Sequence, residues 1–160
     1  MLSKLFKKRN LEIYAPVNGE IIPLDQVPDP VFSQKMMGEG IAIMPDKGNI
    51  HAPVEGTVLL VADTKHAIAL GSKDGTEILI HIGLETVLLG GKGFTVLVNV
   101  GDKVSLGQPL IEVDWDYIRE HATSIVTPIV ITNSLERNVH CVDTKEGIMG
   151  ETLLMTISTK

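Results

Sequence analysis

The chain has 160 residues with 14 Lys and Arg against 20 Asp and Glu, one cysteine, six aromatic residues, 15 glycines and eight prolines. A lone Cys141 allows no intrachain disulfide and no thiolate zinc cage, and reads as a small buried apolar residue of a reducing compartment; no apolar run reaches the ~18 residues of a membrane-crossing helix, and no apolar stretch with a small-residue cleavage pattern marks a secretory signal, so the cytoplasm is expected. Four cations, Lys4, Lys7, Lys8 and Arg9, fall in the first nine residues, so the other 151 carry ten cations against twenty acids, a balance that repels phosphate backbones and argues against nucleic-acid binding.

Residues 1–10 read as a basic amphipathic arm, with Leu2, Leu5 and Phe6 at helical spacing between the cations. Such an arm is either solvated or rests on anionic lipid at the inner face of the membrane, each cation contributing about 1 kcal/mol there. So few apolar residues make that contact weak and salt-sensitive. From residue 11 to 160 the chain reads as one domain. It holds 16 Val, 17 Ile and 12 Thr against seven Ala, and stiff β-branched side chains favour strands. Turn signals separate candidate strands near Leu11–Ala15, Gly19–Pro23, Ile41–Pro45, Gly56–Val61, His66–Leu70, Glu77–Ile82, Thr95–Val98, Pro109–Val113, Thr127–Thr132 and Thr152–Ile157. One short helix is predicted over Asp116–Ala122, capped by Asp114 or Asp116. The segments echo one another: APVNG at Ala15–Gly19 recurs as APVEG at Ala52–Gly56, and GQPLIEV at Gly107–Val113 as GETLLMTI at Gly150–Ile157. Two copies of each unit point to an all-β fold with internal duplication, an antiparallel β-sandwich or flattened barrel.

His66 and His81 flank the turn Ser72–Gly75. A two-residue loop at Lys73-Asp74 puts the imidazoles directly opposite each other, and one at Asp74-Gly75 puts them diagonally on one face. A three-residue loop separates them to opposite faces. In the two-residue registers one face carries Ala67, Ala69, Ile78, Ile80 and Ile82. The other carries Thr64, His66, Ile68, Leu70, Glu77, Leu79 and His81, an apolar surface with a few convergent polar groups. Two facing imidazoles can form a buried structural pair, supply half of a zinc site, or do nucleophilic chemistry on phosphorus. In the last case mutual repulsion keeps at least one ring neutral near pH 7, and positioning with charge stabilisation suffices for transfer without a metal.

The stretch GTEILIHIGLETV at Gly75–Val87 matches the phosphorylation-site signature of the glucose-type enzyme IIA components of the bacterial phosphotransferase system, and the chain resembles that family over most of its length. The resemblance is carried by APVNGEIIPLDQVPDPVF at Ala15–Phe32, GEGIAIMP at Gly38–Pro45, APVEG at Ala52–Gly56, TKHA at Thr64–Ala67, GDKVSLGQPLIEVD at Gly101–Asp114 and TPIVITN at Thr127–Asn133. It implies a free-standing, monomeric IIA domain. His81 then resembles the phosphorylated nucleophile, acting through Nε2 with the Gly83 carbonyl fixing its tautomer. His66 resembles the imidazole that stabilises the phosphoryl group, and Thr64 the hydroxyl that orients it. The implied donor is the histidine-containing phosphocarrier protein, and the implied acceptor a cysteine on a IIB domain of a sugar permease.

An apolar rim of Val31, Phe32, Ile41, Ile68 and Leu79, with Glu85 beside it, would dock these partners and keep water from the phosphohistidine. The acidic body would help recruit a basic partner surface. Glu85 stands where aspartate is common in the family. His51, His121 and His140 read as structural or solvent-facing.

Two rival families lack their chemistry here. A lysostaphin-type zinc endopeptidase needs an H-x-H pair, which is absent, and a biotinyl or lipoyl carrier needs a lysine after GDKVSLGQPLI, where Asp114-Trp115-Asp116 stands instead. GGKGF at Gly90–Phe94 lacks the Lys-Ser/Thr of a P-loop. The alternative that keeps the fold is a regulatory binding module that signals its phosphorylation state. No cofactor is implied beyond zinc held by His66 and His81 with a partner's carboxylate.

Overall fold

A computed structural model describes residues 10–160; residues 1–9 of the expected arm lie outside the described residues. Among the described residues are fourteen strands: β1 (Leu11–Tyr14), β2 (Gly19–Pro23), β3 (Glu39–Pro45), β4 (Ile50–His51), β5 (Gly56–Val61), β6 (Ala67–Gly71), β7 (Glu77–His81), β8 (Phe94–Val96), β9 (Lys103–Val104), β10 (Pro109–Val113), β11 (Thr127–Ile131), β12 (Arg137–Cys141), β13 (Glu146–Gly147) and β14 (Leu153–Thr159). They build an eight-stranded sheet in the order β13-β2-β3-β11-β7-β6-β5-β9 and two three-stranded sheets, β1-β14-β12 and β4-β10-β8. Every named pairing is antiparallel.

Alternation along the central strands separates two cores. Ile41 and Ile43 of β3, Ile68 and Leu70 of β6, Ile78 and Ile80 of β7, and Ile129 and Ile131 of β11 enter the main core with Ile13, Ile50, Ile111 and Met155 of the small sheets. Each fully buried Ile contributes about 1.5–3 kcal/mol. The intervening residues Ala42, Ala67, Leu79 and Val130 face the other way, into a second cluster roofed by Leu24, Val27 and Phe32. Large side chains thus point inward, and smaller ones make the outer face shallow.

The roof is a segment stiffened by Pro23, Pro28 and Pro30, with a one-turn helix α1 (Pro30–Ser33). Asp29 caps α1 by accepting from the Val31 N–H at 3.0 Å, and proline at the first helical position suits that start. The predicted helix is present as α2 (Trp115–His121), and Asp114 is the residue that caps it, accepting from the Tyr117 N–H at 3.1 Å.

The duplicated segments meet as a reciprocal pair. Tyr14 N–H donates to Pro53 O at 2.9 Å while His51 N–H donates to Pro16 O at 2.8 Å. The following units dock alike, with Gly107 N–H on Ala52 O at 2.8 Å and Gly150 N–H on Ala15 O at 2.9 Å. Two related halves therefore lock through equivalent atoms.

The hairpin β6–β7 corrects the expected register. Its loop is the three-residue Lys73–Gly75, closed by Ser72 N–H on Thr76 O at 2.9 Å, with Gly75 left-handed at φ +87°. Asp74 drives this choice: its carboxylate accepts from the Ser72 hydroxyl and from the Thr76 N–H, a side-chain bridge that favours a type I turn followed by glycine. Ala67 therefore sits opposite His81 and Ala69 opposite Leu79. The outer face carries Ala67, Ala69, Leu79 and His81, whereas Ile68 and Leu70 point inward, the reverse of the face expected for β6.

Candidate functional site

His81 ends β7 on the outer face, directly after the alternating run Glu77–Ile80. A left-handed Gly83 (φ +73°) turns the chain back so that its carbonyl accepts from His81 Nδ1 at 2.8 Å. Glycine is required there twice over. Besides the positive φ, a Cβ would meet Thr86 Cγ2 at 2.7 Å and Ser124 O at 2.9 Å. Thr86 is fully buried and donates its hydroxyl to Ile82 O at 2.6 Å, which fixes the following turn.

His66 reaches the same place by a different route. It lies just outside β6, in the four-residue loop Asp63–His66 closed by Ala62 N–H on Ala67 O at 3.0 Å. Lys65, left-handed at φ +64°, turns that loop, so the His66 ring is freed from strand alternation. The two imidazole centroids stand 4.8 Å apart with their planes at 76°. The three-residue register that would have separated the rings on a regular strand is overcome by this turn. Thr64 Oγ1 lies 2.7 Å from His66 Nδ1. Phe32 covers the other side of His81 at 5.0 Å between centroids.

The Gly83 contact fixes the proton of His81. A carbonyl can only accept, so His81 Nδ1 carries the proton and Nε2 holds the lone pair in the neutral ring. When the Thr64 hydroxyl donates to His66 Nδ1, the proton of a neutral His66 sits on Nε2, a ready donor to an oxyanion. Burial pushes both imidazoles below the ordinary value of 6.5. For His81 the neighbouring His66 adds to the shift, while the Gly83 carbonyl and Asp29 oppose it. Both rings are therefore neutral at pH 7.

Just below pH 6.5 the unfolded chain binds protons that the folded one refuses, so stability falls as the pH drops through that value and levels off once the folded rings titrate. The urea midpoint is expected to fall between pH 7.5 and 5.5 by more in the wild type than in His66→Gln. Equal falls would remove the pair as the cause.

Several residues expected at a docking rim are elsewhere. Ile68 is 0% and Ile41 5% exposed, both in the main core, because inward alternation claims them. Leu79 faces outward but lies beneath the roof, and Phe32 is buried as part of that roof, both in the second cluster. Val31 is 39% exposed. Glu85, left-handed at φ +58°, accepts from the Thr123 hydroxyl and so is tied to its own chain.

The apolar fringe includes residues that the sequence pattern did not single out. Met36, 69% exposed, and Met37 follow α1, and both amides donate to Val31 O. Leu60 pairs with Ala69 and shares its outer face, with 52% of its surface exposed. Val87 projects from the turn after Gly83. The signal for the first two was the unbroken DPVFSQKMM after a capping aspartate.

The remaining histidines have local partners. His51 Nδ1 bonds Asn49 O at 2.9 Å, His121 bonds Tyr117 O and stacks on its ring, and His140 is exposed on β12. Cys141 directs its thiol to Gly40 O, and burial pushes that thiol up. Among the described residues no group of three or more His, Cys, Asp or Glu is placed to hold a metal. His66 and His81 fit zinc only as two of four ligands. No helix among the described residues is long and apolar enough to cross a membrane.

Comparison with known proteins shows the family of the chain. A family model described as phosphoenolpyruvate-dependent sugar phosphotransferase system, EIIA 1, matches residues 11–136. The glucose-specific EIIA component of Staphylococcus epidermidis is 47% identical over 164 residues, covering 99% of each chain. The glucose-specific EIICBA component of Staphylococcus carnosus is 53% identical over 143 residues, 89% of this chain, and the chain spans 21% of that relative's length. In structure the chain is similar to the glucose permease IIA of Mycoplasma capricolum, with a TM-score of 0.87 at 38% identity over 94% of this chain and 97% of the other. The likeness in structure makes the fold an antiparallel β-sandwich of the permease IIA type. The chain belongs to the EIIA 1 family of the phosphoenolpyruvate-dependent sugar phosphotransferase system. Members of that family work in phosphoryl transfer during sugar uptake.

Proposed function

We propose that His81 accepts a phosphoryl group from the histidine-containing phosphocarrier protein and passes it to a cysteine on the IIB domain of a sugar permease. The observation that carries this reading is the imidazole pair at 4.8 Å, each ring with its Nδ1 engaged by a local oxygen. In uptake the His81 Nε2 lone pair forms a bond to phosphorus as the donor's N–P bond breaks, and that electron pair returns to the donor imidazole. The proton stays on Nδ1, hydrogen-bonded to Gly83 O, so the ring becomes cationic beside the phosphoryl dianion and remains a good leaving group. In discharge a cysteine thiolate attacks, the N–P bond opens, and its electrons return to Nε2. His66 Nε2–H donates to the phosphoryl oxygens throughout, with Thr64 holding the ring.

The docking surface in this reading is the outer face around the second cluster. Val31, Met36, Met37, Leu60 and Val87 form its exposed fringe, and Ile22, Met44, Ala62 and Ala69 its half-buried floor. Zinc enters only with a partner's carboxylate completing the pair. The fusion of related sequence in an EIICBA component supports a IIB domain as the acceptor.

The test starts from protein charged by phosphoenolpyruvate and the two general phosphotransferase proteins. Label on this chain should move to the cysteine of a glucose-type IIB domain and stay put when that cysteine is serine. A chain that takes no label but still binds the phosphocarrier is a regulatory module, and the carrier reading is then wrong.

A further inference from the structure

The turn after His81 is clasped by a segment that makes no hydrogen bond to either ring. Leu84 N–H donates to Ser124 O at 2.9 Å, forming an isolated antiparallel bridge. The same Ser124 oxygen would collide with a side chain at Gly83. One residue further along on one side and back on the other, the Thr123 hydroxyl donates to Glu85 Oε2. Glu85 holds a left-handed conformation at φ +58°, which costs a non-glycine residue about 1 kcal/mol and persists where surroundings enforce it. The clasp is itself fixed: Ala122 N–H closes α2 on Ile118 O at 2.8 Å, and Ser124 Oγ accepts from Val126 N–H at 3.1 Å. A rigid segment thus holds both residues that follow Gly83, and Gly83 O fixes the proton on His81.

We propose that Thr123 is a positioning residue for His81: through Glu85 it holds the turn that aims the Gly83 carbonyl at Nδ1. Glu85, an exposed residue, then acts on this turn through Oε2. The inference rests on His81 being the reacting residue, but its first readout does not depend on phosphoryl transfer.

Ring nitrogen shifts of 15N-labelled protein report the His81 tautomer directly. In the wild type His81 is expected as the Nδ1–H form alone. In Thr123→Val it should sample both tautomers, and phosphoryl uptake should slow on the order of tenfold in kcat at unchanged KM for the donor, as when an outer hydrogen-bond partner of a functional histidine is lost. Thr123→Ser should restore both values. Glu85→Ala breaks the clasp from the other side, and the double variant should be no worse than either single one.

If Thr123→Val does not fold, Glu85→Ala carries the same test. A folded variant with the wild-type tautomer and a rate within twofold overturns the inference. So does an effect of Glu85→Ala confined to KM, which marks a docking residue. Absence of label on wild-type His81 would instead sink the carrier reading, while the tautomer measurement would still decide the role of Thr123.

Discussion

His81→Ala is expected to take up no acid-labile phosphate from phosphoenolpyruvate and the two general phosphotransferase proteins, while remaining folded. The loss should be complete because, among the described residues, removing His81 leaves no pair of facing imidazoles: His66 loses its partner ring, His51 and His121 are each bonded to a nearby backbone carbonyl, and His140 stands on an exposed strand. Removing the ring leaves a gap beside Phe32 and takes the Nδ1–H from Gly83 O. That costs about 1–3 kcal/mol of stability. The fold should survive it, since β7 keeps Ile78 and Ile80 in the main core and its pairing with β6 and β11. Far-ultraviolet circular dichroism and a urea titration check the fold, and gel autoradiography at alkaline pH checks the label. Retained label in a folded His81→Ala protein would assign the nucleophile elsewhere.

His66→Gln separates charging from discharge. Uptake should persist, because the lone pair on His81 Nε2 depends on Gly83 and not on His66. Onward transfer should slow by on the order of 10²–10³, the usual effect of removing one preorganised donor to a developing anion. The asymmetry has a physical basis. In charging, a neutral imidazole approaches the phosphoryl group, and the donor's own site shares in holding it. In discharge an anionic thiolate approaches a dianion, and the repulsion must be offset locally by the His66 N–H. A glutamine amide can reach the oxygens but has a flexible stem and no ring for Thr64 Oγ1 to hold at 2.7 Å. Single-turnover transfer from labelled protein to a IIB domain measures the step. Discharge at the wild-type rate would deny His66 its role.

The sequence carried the fold where alternation was long and failed where it was short. All ten candidate strands exist, with ends shifted by up to two residues. The two-residue β4, β9 and β13 are too short to show a period, and β12, Arg137–Cys141, mixes polar residues that alternate only once Thr156 and Ile157 of β14 lie opposite His140 and Val139. The one-turn α1 was hidden between prolines.

The histidine pair was legible, but not through the register. Alternation alone gave two same-face registers and one that was not, and the hydrogen bonds of Ser72 and Asp74 selected the third. Proximity was rescued by Lys65, whose left-handed turn no pattern of apolar residues announces. The rim failed for a related reason: Ile41 and Ile68 look no different from outward apolar residues until the neighbouring strand fixes their side. Thr123 was invisible because its partner is 38 residues away in sequence.

The small side chains of the outer face bear on how long partners stay. Ala42, Ala67 and Ala69 line the outer face near the histidines with short side chains, which offer little apolar area to grip the aromatic or arginine anchors that dominate slow dissociation. The prolines that stiffen the roof keep the ordering cost of an encounter low. A visitor therefore meets a firm, shallow landing surface that aligns it quickly and lets it go quickly. A molecule that hands on a labile group must be vacated by one visitor before it can receive the next, and its turnover is then limited by how briefly each is held.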